Sequence, residues 1–319
     1  MKISVAFIVY NGANYMRTQL DTILAQTHGV DEIIVYDDAS SDNTKEILEE
    51  YKNKHSNLFF IHYNNQNIGP TKNIEKAIQA CTGDIILLAD QDDYWESNKV
   101  ETIVKWFEAN PTMNGVFTNG SLMNSNEEID NKYELWDVMS FPFKAIKNGE
   151  DLKLYINTVE NTVTGATLAI RNKLPFLKQP FPLIKHLVHD RWLAMNLAET
   201  NSLGILNEKL IHYRIHSEQA IGGMTKNIEK YIELNANLLE GTANINNSIR
   251  SFKDLRYILN KIEVNLEIQN EISKLEKKEF DNANYIAILK NKHKIYLEYG
   301  FTKWPLLSGL RNLKKLFTA

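Results

Sequence analysis

The chain has 319 residues, of which 43% are hydrophobic and 24% charged, and its formal net charge is −4. The length allows one large or two ordinary domains, and the balance is that of a water-soluble globular protein. An acidic net charge gives no reason to expect a nucleic-acid partner, and a single cysteine, Cys81, excludes an intrachain disulfide. The apolar stretch Met1 to Tyr10 is too short to span a membrane, and no small-residue cleavage site follows it. It reads as a first strand, and the expected compartment is the cytoplasm.

The first half alternates strand and helix. Ile3 to Tyr10 is rich in β-branched residues, and Asn11-Gly12 turns the chain. Asn14 to Gln26 carries Tyr15, Leu20, Ile23 and Leu24 near helical spacing, ended by His28-Gly29. Glu32 to Tyr36 predicts a second buried strand, running into Asp37-Asp38-Ala39-Ser40-Ser41-Asp42-Asn43-Thr44. Ser41 or Asp42 can cap a helix over Thr44 to Lys54. Phe59 to Tyr63 predicts a third strand, Ile68-Gly69-Pro70 a turn, and Asn73 to Cys81 a third helix. Repeated units of this kind predict an α/β fold with a mostly parallel sheet flanked by helices.

The apolar run Ile85 to Ala89 has the content of a strand buried on both faces. It ends in Asp90-Gln91-Asp92-Asp93-Tyr94-Trp95, three carboxylates within four positions. Carboxylates at the C-terminal end of such a strand lie where open α/β sheets place their ligand crevice. Crowded acids repel unless a cation sits among them, and hard oxygen ligands suit Mg²⁺ or Mn²⁺. The plain alternative is a polar turn with solvated acids. Tyr10-Asn11 and Asp37-Asp38 are expected to open onto the same crevice, where a carboxylate beside an aromatic can receive a nucleobase imide. The alternative for Asp37-Asp38 is turn formation and capping. A dinucleotide site would need G-x-G-x-x-G after the first strand, and Tyr10-Asn11-Gly12-Ala13-Asn14-Tyr15 lacks it. A Walker A loop is missing too.

Further on, Gly115 to Leu122 predicts a strand. Asn124 to Phe143, with Tyr133, Trp136, Phe141 and Phe143, reads as a loop over the site, or one packed on the body. Thr162 to Ile170 alternates as a strand does, and Leu210 to Gln219 reads as a last strand. His189-Asp190-Arg191-Trp192 opens a helix, with Asp190 in its first turn, where a helix favours negative charge. Simple capping would explain Asp190 equally well.

Taken together, Ile8-Val9-Tyr10-Asn11, Ile34 to Thr44, Asn67-Ile68-Gly69, Gly83-Asp84 and Ala89 to Trp95 resemble the inverting glycosyltransferases of family two, which have the GT-A fold. The resemblance covers roughly the first two-thirds of the chain. It implies a nucleotide-sugar donor, a divalent metal (Mn²⁺ or Mg²⁺) and single displacement at the anomeric carbon. It places Tyr10, Asn11, Asp38, Asn67, Asp90, Gln91 and Arg214 at the donor, with Arg214 pairing phosphate. It places Asp92 and His216 at the metal, and Thr164, Gly165, Trp95, His189 and Arg191 near the acceptor or donor sugar. Asp190 becomes the catalytic base. The two acidic segments look most like bacterial rhamnosyltransferases of surface-polysaccharide assembly, so dTDP-rhamnose is the expected donor and a UDP-hexose or UDP-N-acetylhexosamine the alternative. A lipid-linked or polymeric glycan is the expected acceptor. A non-catalytic glycan-binding or scaffold protein is the reading from another class, and a nucleotidyltransferase would want a Gly-rich basic loop that is not present.

Residues 1–222 are expected to form the GT-A domain, with Gly222-Gly223 in a mobile loop, and 223–319 a helical C-terminal region. Those helices offer a surface for a homo-oligomer. Within the tail, 301–317 has four basic residues, no acid, and leucines at helical spacing beside Trp304. Such a helix suits peripheral contact with the inner face of the cell membrane, with packing on protein as the alternative.

Overall fold

The computed structural model describes residues 1–139, 141, 143–158, 162–183 and 187–216. Gln219, the Gly222-Gly223 loop, the expected C-terminal helices and the basic tail lie outside the described residues. The chain divides into two compact units. The first holds Met1–Leu135, Val163–Leu183 and the described chain from Val188 onward. The second, among described residues, draws on 136–162 and Leu187.

Among the described residues, nine strands make one sheet: β1 (Ile3–Val9), β2 (Glu32–Asp37), β3 (Phe59–Tyr63), β4 (Ile85–Ala89), β5 (Tyr94–Trp95), β6 (Gly115–Asn124), β7 (Ile129–Glu134), β8 (Leu168–Arg171) and β9 (Leu203–Ile215). The order is β3-β2-β1-β4-β8-β6-β9-β5, with β7 beside β6. The helices are α1 (Met16–Leu24), α2 (Thr44–Lys54), α3 (Pro70–Ala80), α4 (Lys99–Ala109), α5 (Leu135–Val138), α6 (Gly149–Thr158) and α7 (His189–Glu199). Strands β1 and β4 are buried along their whole length, as unbroken apolar runs require. Pro70 sits in the first turn of α3, where its missing N–H costs nothing, and α3 packs on β1 and β2.

The parallel expectation holds for β3, β2, β1 and β4. Beyond β4 the sheet is mixed: β8 runs antiparallel to β4 and β6, while β9 runs parallel to β6. The parallel register positions the site. Val9 lies opposite Asp37 and Phe7 opposite Ala89, so β1, β2 and β4 release their chains at one edge.

Three expectations change. The stretch 162–170 is a strand only from Leu168. Before that Gly165–Thr167 forms a 3₁₀ turn, in which Thr164 O accepts from Thr167 N at 3.0 Å and Thr167 Oγ1 at 2.8 Å. The expected loop over 124–143 is instead the strand β7 paired to β6, followed by α5. Its aromatics pack on each other within the second unit, with Trp136 5.0 Å from Phe141 and 5.3 Å from Phe143 by ring centroids. Finally, the last described strand starts seven residues earlier than expected, at Leu203.

Candidate functional site

At the common edge of β1, β2 and β4 the turns are tied together by side chains. Tyr10 N donates to Gln91 Oε1 at 2.7 Å, and Gln91 Nε2 returns a bond to Tyr10 O at 3.1 Å. A side chain on Gly12 would fall 2.7 Å from Gln91 Oε1, so glycine lets the amide lie across the turn. Asn11 takes a left-handed φ of 49° and accepts from Ser41 N at 2.8 Å. Asp42 accepts from Thr44 N at 3.1 Å and from Ala13 N at 3.0 Å, which joins the α2 entry to the β1 turn. Asp38 is buried and serves the loop before α3. Its Oδ1 accepts from Asn64 Nδ2 and Ile68 N, and its Oδ2 from Gly69 N, all at 2.9 Å. Asn67 belongs to that same loop and accepts from Gly69 N at 3.1 Å.

The three acids after β4 have different surroundings. Burial first, then the charges of Asp92 and Asp190, push the Asp90 carboxyl up to about 7, against the pull of Lys99. Asp93 is buried and pushed well above its ordinary range by burial and by Asp92 and Asp90. Its Oδ1 accepts from Arg214 N at 3.1 Å, while its buried Oδ2 has no hydrogen-bond partner. Asp92 Oδ2 lies 2.9 Å from His216 Nε2. Sequence reasoning missed two groups here. Lys99 is buried at the start of α4; its Nζ donates to Ala166 O at 2.8 Å and lies 4.0 Å from the Trp95 ring centre. Burial lowers its pKa to about 7 despite Asp93 and Asp90. A cation in the first turn opposes the helix dipole, and that was the available signal. The Tyr213 hydroxyl is the other: burial and then Asp93, Asp92, Asp90 and Asp190 push its pKa up and hold it protonated.

Two expected roles do not survive the geometry. Arg214 is 1% exposed and its hydrogen bonds go to protein. Nε donates to Asp92 O at 2.7 Å, Nη2 to Glu127 Oε1 at 3.0 Å, and the guanidinium sits 4.7 Å from the Tyr15 ring centre. It is therefore a brace inside the loop rather than an open phosphate ligand. Trp95 is likewise 1% exposed, with its ring beneath the Lys99 ammonium, so it does not face an acceptor.

On the other side, α7 opens with His189 and Asp190 against the 3₁₀ turn. A side chain on Gly165 would fall 2.9 Å from His189 Nε2 and 3.8 Å from Asp190 Cβ. Burial lowers the His189 pKa, so the ring is neutral. His189 Nδ1 and Thr164 Oγ1 are both buried without a hydrogen-bond partner. Asp190 and Arg191 are half-buried, and Asp190 Oδ1 accepts from Arg191 N. The structure thus unites Tyr10, Asn11, Asp38, Asp90, Gln91, Asp92 and His216 around one edge of the sheet. Thr164, Gly165, His189, Asp190 and Arg191 form a second group, electrostatically coupled to the first through Asp90 and Asp190.

Among the described residues no helix is long and apolar enough to cross a membrane. The S. aureus TarS fragment 1–349, solved with UDP-GlcNAc, shares this fold with a TM-score of 0.54, at 19% identity over 94% of this chain and 76% of that one. A Nostoc sp. protein named an uncharacterized glycosyltransferase is 28% identical over 221 residues, 68% of this chain. The match spans 65% of that relative's length. The poly(ribitol-phosphate) beta-glucosyltransferase of Bacillus spizizenii is 34% identical over 128 residues, 40% of this chain and 20% of its own length. Residues 4–173 match the family described as Glycosyl transferase family 2, and that stretch carries β1 to β4 and the acidic turn, so the chain belongs to glycosyl transferase family 2.

Proposed function

We propose that this transferase moves one sugar from a nucleoside-diphosphate donor to a hydroxyl of a glycan precursor, with inversion at the anomeric carbon. The observation that carries the reading is the placement of Asp90, Asp92 and His216 at the sheet edge, electrostatically coupled to Asp190 at the start of α7. Asp190 accepts the proton of the acceptor hydroxyl while that oxygen bonds to the anomeric carbon. The bond from that carbon to the diphosphate oxygen breaks, and its electron pair leaves on the diphosphate. Asp38, with Tyr10 and Asn11, lines the place for the base. His189, Arg191, Thr164 and Gly165 border the sugar, where the open hydrogen-bonding capacity of Thr164 Oγ1 and His189 Nδ1 suits hydroxyl groups.

A divalent cation fits the donor set. No three His, Cys, Asp or Glu side chains converge as a complete metal cage among the described residues. Mg²⁺ and Mn²⁺ need none, since one or two protein ligands suffice when phosphate oxygens and water fill the shell. Asp92 and His216 supply that pair, with Asp90 adding charge. When bound, such an ion provides positive charge for the departing diphosphate.

For the donor, the Bacillus relative's name supports a glucosyl group, which moves the UDP-hexose reading ahead of dTDP-rhamnose. That name also supports a polymeric acceptor. Mass spectrometry of donor turnover across UDP-glucose, UDP-N-acetylglucosamine, GDP-mannose and dTDP-rhamnose, with Mn²⁺ or Mg²⁺, tests the reading. Release of nucleoside diphosphate is expected. Release of a sugar 1-phosphate would make the protein a nucleotidyltransferase, and release of neither would make it a binding or scaffold protein.

A further inference from the structure

The last turn of β9 is held by contacts that reach well beyond the acids. Arg214 bridges three segments at once. Its backbone N–H goes to Asp93 Oδ1 and its Nε to Asp92 O, at 3.1 and 2.7 Å. Its Nη1 reaches Asn124 O at 3.4 Å, and its Nη2 reaches Glu127 Oε1 at 3.0 Å. Both of the latter acceptors belong to the β6–β7 connection. Glu127 is held by a second donor, since the same Oε1 accepts from Thr18 Oγ1 of α1 at 3.0 Å. Its backbone takes a left-handed φ of 67°. Two residues past Arg214, His216 meets Asp92 Oδ2, with its ring 4.6 Å from Tyr15. Tyr15 is thus packed by the guanidinium and the imidazole together.

The spacing of the Asp92 and His216 side chains therefore depends on Arg214, which sets the Asp92 backbone directly and delivers His216 along the same strand end. Arg214 depends in turn on Glu127, whose side chain is 53% exposed and lies outside the acidic site. We propose that Glu127 and Arg214 form a positioning latch that presets the Asp92–His216 pair for a divalent cation. The hairpin between β6 and β7 thereby controls cation affinity without touching the cation or the sugar nucleotide. This inference rests on the reading of Asp92 and His216 as cation ligands.

The test is Mn²⁺ binding to the full-length protein without donor, followed by electron paramagnetic resonance of the free ion. Glu127→Gln keeps the side-chain size and the same backbone strain, and leaves the Thr18 bond available. It should raise the Mn²⁺ Kd about 2- to 5-fold, the range of a weakened charge pair at a partly exposed site. The melting temperature should fall by no more than about 4 °C, since a partly exposed pair of this kind contributes little to folding. In the transfer assay, the Mn²⁺ concentration for half-maximal rate should rise by the same factor while the plateau rate stays within about twofold. Arg214→Lys, which loses the fork but keeps the charge, should weaken Mn²⁺ more. Adding Glu127→Gln to it should change little further, because the two act as one unit. An unchanged Mn²⁺ Kd in Glu127→Gln, or two variants whose effects simply add, overturns the latch. Asp92→Asn and His216→Ala separate the two levels. If neither weakens Mn²⁺, the ligand assignment itself falls; if both do and Glu127→Gln does not, only the latch falls.

Discussion

Lys99→Met removes a buried positive charge from beneath the acidic turn, and its cost can be worked from the contacts. The side chain is 1% exposed, bonds Ala166 O at 2.8 Å and stacks on Trp95 at 4.0 Å. Breaking a buried charge pair costs about 3–5 kcal/mol when the surviving charge cannot escape. Here it partly can, because Asp90 is already pushed up to about 7 and can take a proton. That places the electrostatic loss nearer ~2 kcal/mol, with ~1 kcal/mol more for the abandoned carbonyl. The Met side chain, one atom shorter than lysine, keeps most of the packing on Trp95. A total of ~3 kcal/mol corresponds to a fall in melting temperature of roughly 6–12 °C for a unit of this size. Differential scanning fluorimetry of parent and variant, in EDTA and in Mn²⁺, gives the measurement. Mn²⁺ should recover more stability in Lys99→Met than in the parent, since it replaces the missing charge. A variant that melts within about 2 °C of the parent in EDTA would show that Lys99 balances nothing, and the electrostatic account of the acidic turn would be wrong.

Asp92→Asn should abolish most Mn²⁺-supported donor binding by calorimetry while leaving the fold intact. Asp190→Asn should keep donor affinity and lower transfer ~10²–10⁴-fold, the usual range for lost acid–base help; near-parent transfer would move the base elsewhere. Gly83→Ala places a methyl 2.5 Å from Ser4 Oγ and 2.8 Å from the Lys2 carbonyl oxygen, which cannot yield. Denaturant titration should show a loss of about 1–3 kcal/mol with an unchanged slope. Glu32 carries a sharp pH dependence. Burial alone would raise its pKa, but bonds from Ser4, Thr82 and Lys2 bring it down to about 2. A depressed folded pKa means stability present above the unfolded value of about 4.5 and lost as pH falls toward about 2. Glu32→Gln should flatten the acid limb of the stability curve across that window, and an unchanged slope would refute the assignment.

Much of the fold was legible because one physical rule governs it. Strands buried on both faces must be largely apolar, so Ile3–Val9, with Ser4 its one polar residue, and Ile85–Ala89 declare themselves, and the acids that end β4 stand out against them. Where that rule lapses, the reading failed. Ile129–Glu134 is polar in four of its six residues, so β7, a strand beside β6 at the sheet margin, looked like a loop. Thr162 to Ile170 has strand propensity, yet Gly165 must approach His189 within 2.9 Å of an added Cβ, and the chain turns instead. Arg214 looked like a phosphate ligand because arginine near acids and a diphosphate usually is one. What the sequence could not display was the set of acceptors, Asp92 O, Asn124 O and Glu127, that the fold brings to it from positions far apart. Lys99 was hidden for the converse reason: a lysine after Ser97-Asn98 reads as a solvated helix start.

The backbone of the acidic turn is over-determined while its charge is under-compensated. Gln91 locks the turn to Tyr10 by two bonds, Arg214 locks Asp92 and Asp93 from β9, and Lys99 fixes Ala166 from below. These clamps prevent Asp90, Asp92 and Asp93 from relaxing apart, and so the raised carboxyl pKa values persist. Arg214 cannot discharge the repulsion, since its guanidinium is paired with Glu127. Lys99, lowered to about 7 by burial, supplies only part of a positive charge to Asp93 and Asp90. The remaining imbalance is a free-energy difference that an incoming cation relieves and a neutral ligand does not. A diphosphate alone would add to the repulsion, whereas a diphosphate arriving with a divalent ion removes it. Under the proposed function, the crowding of acids therefore favours the donor chiefly as its cation complex.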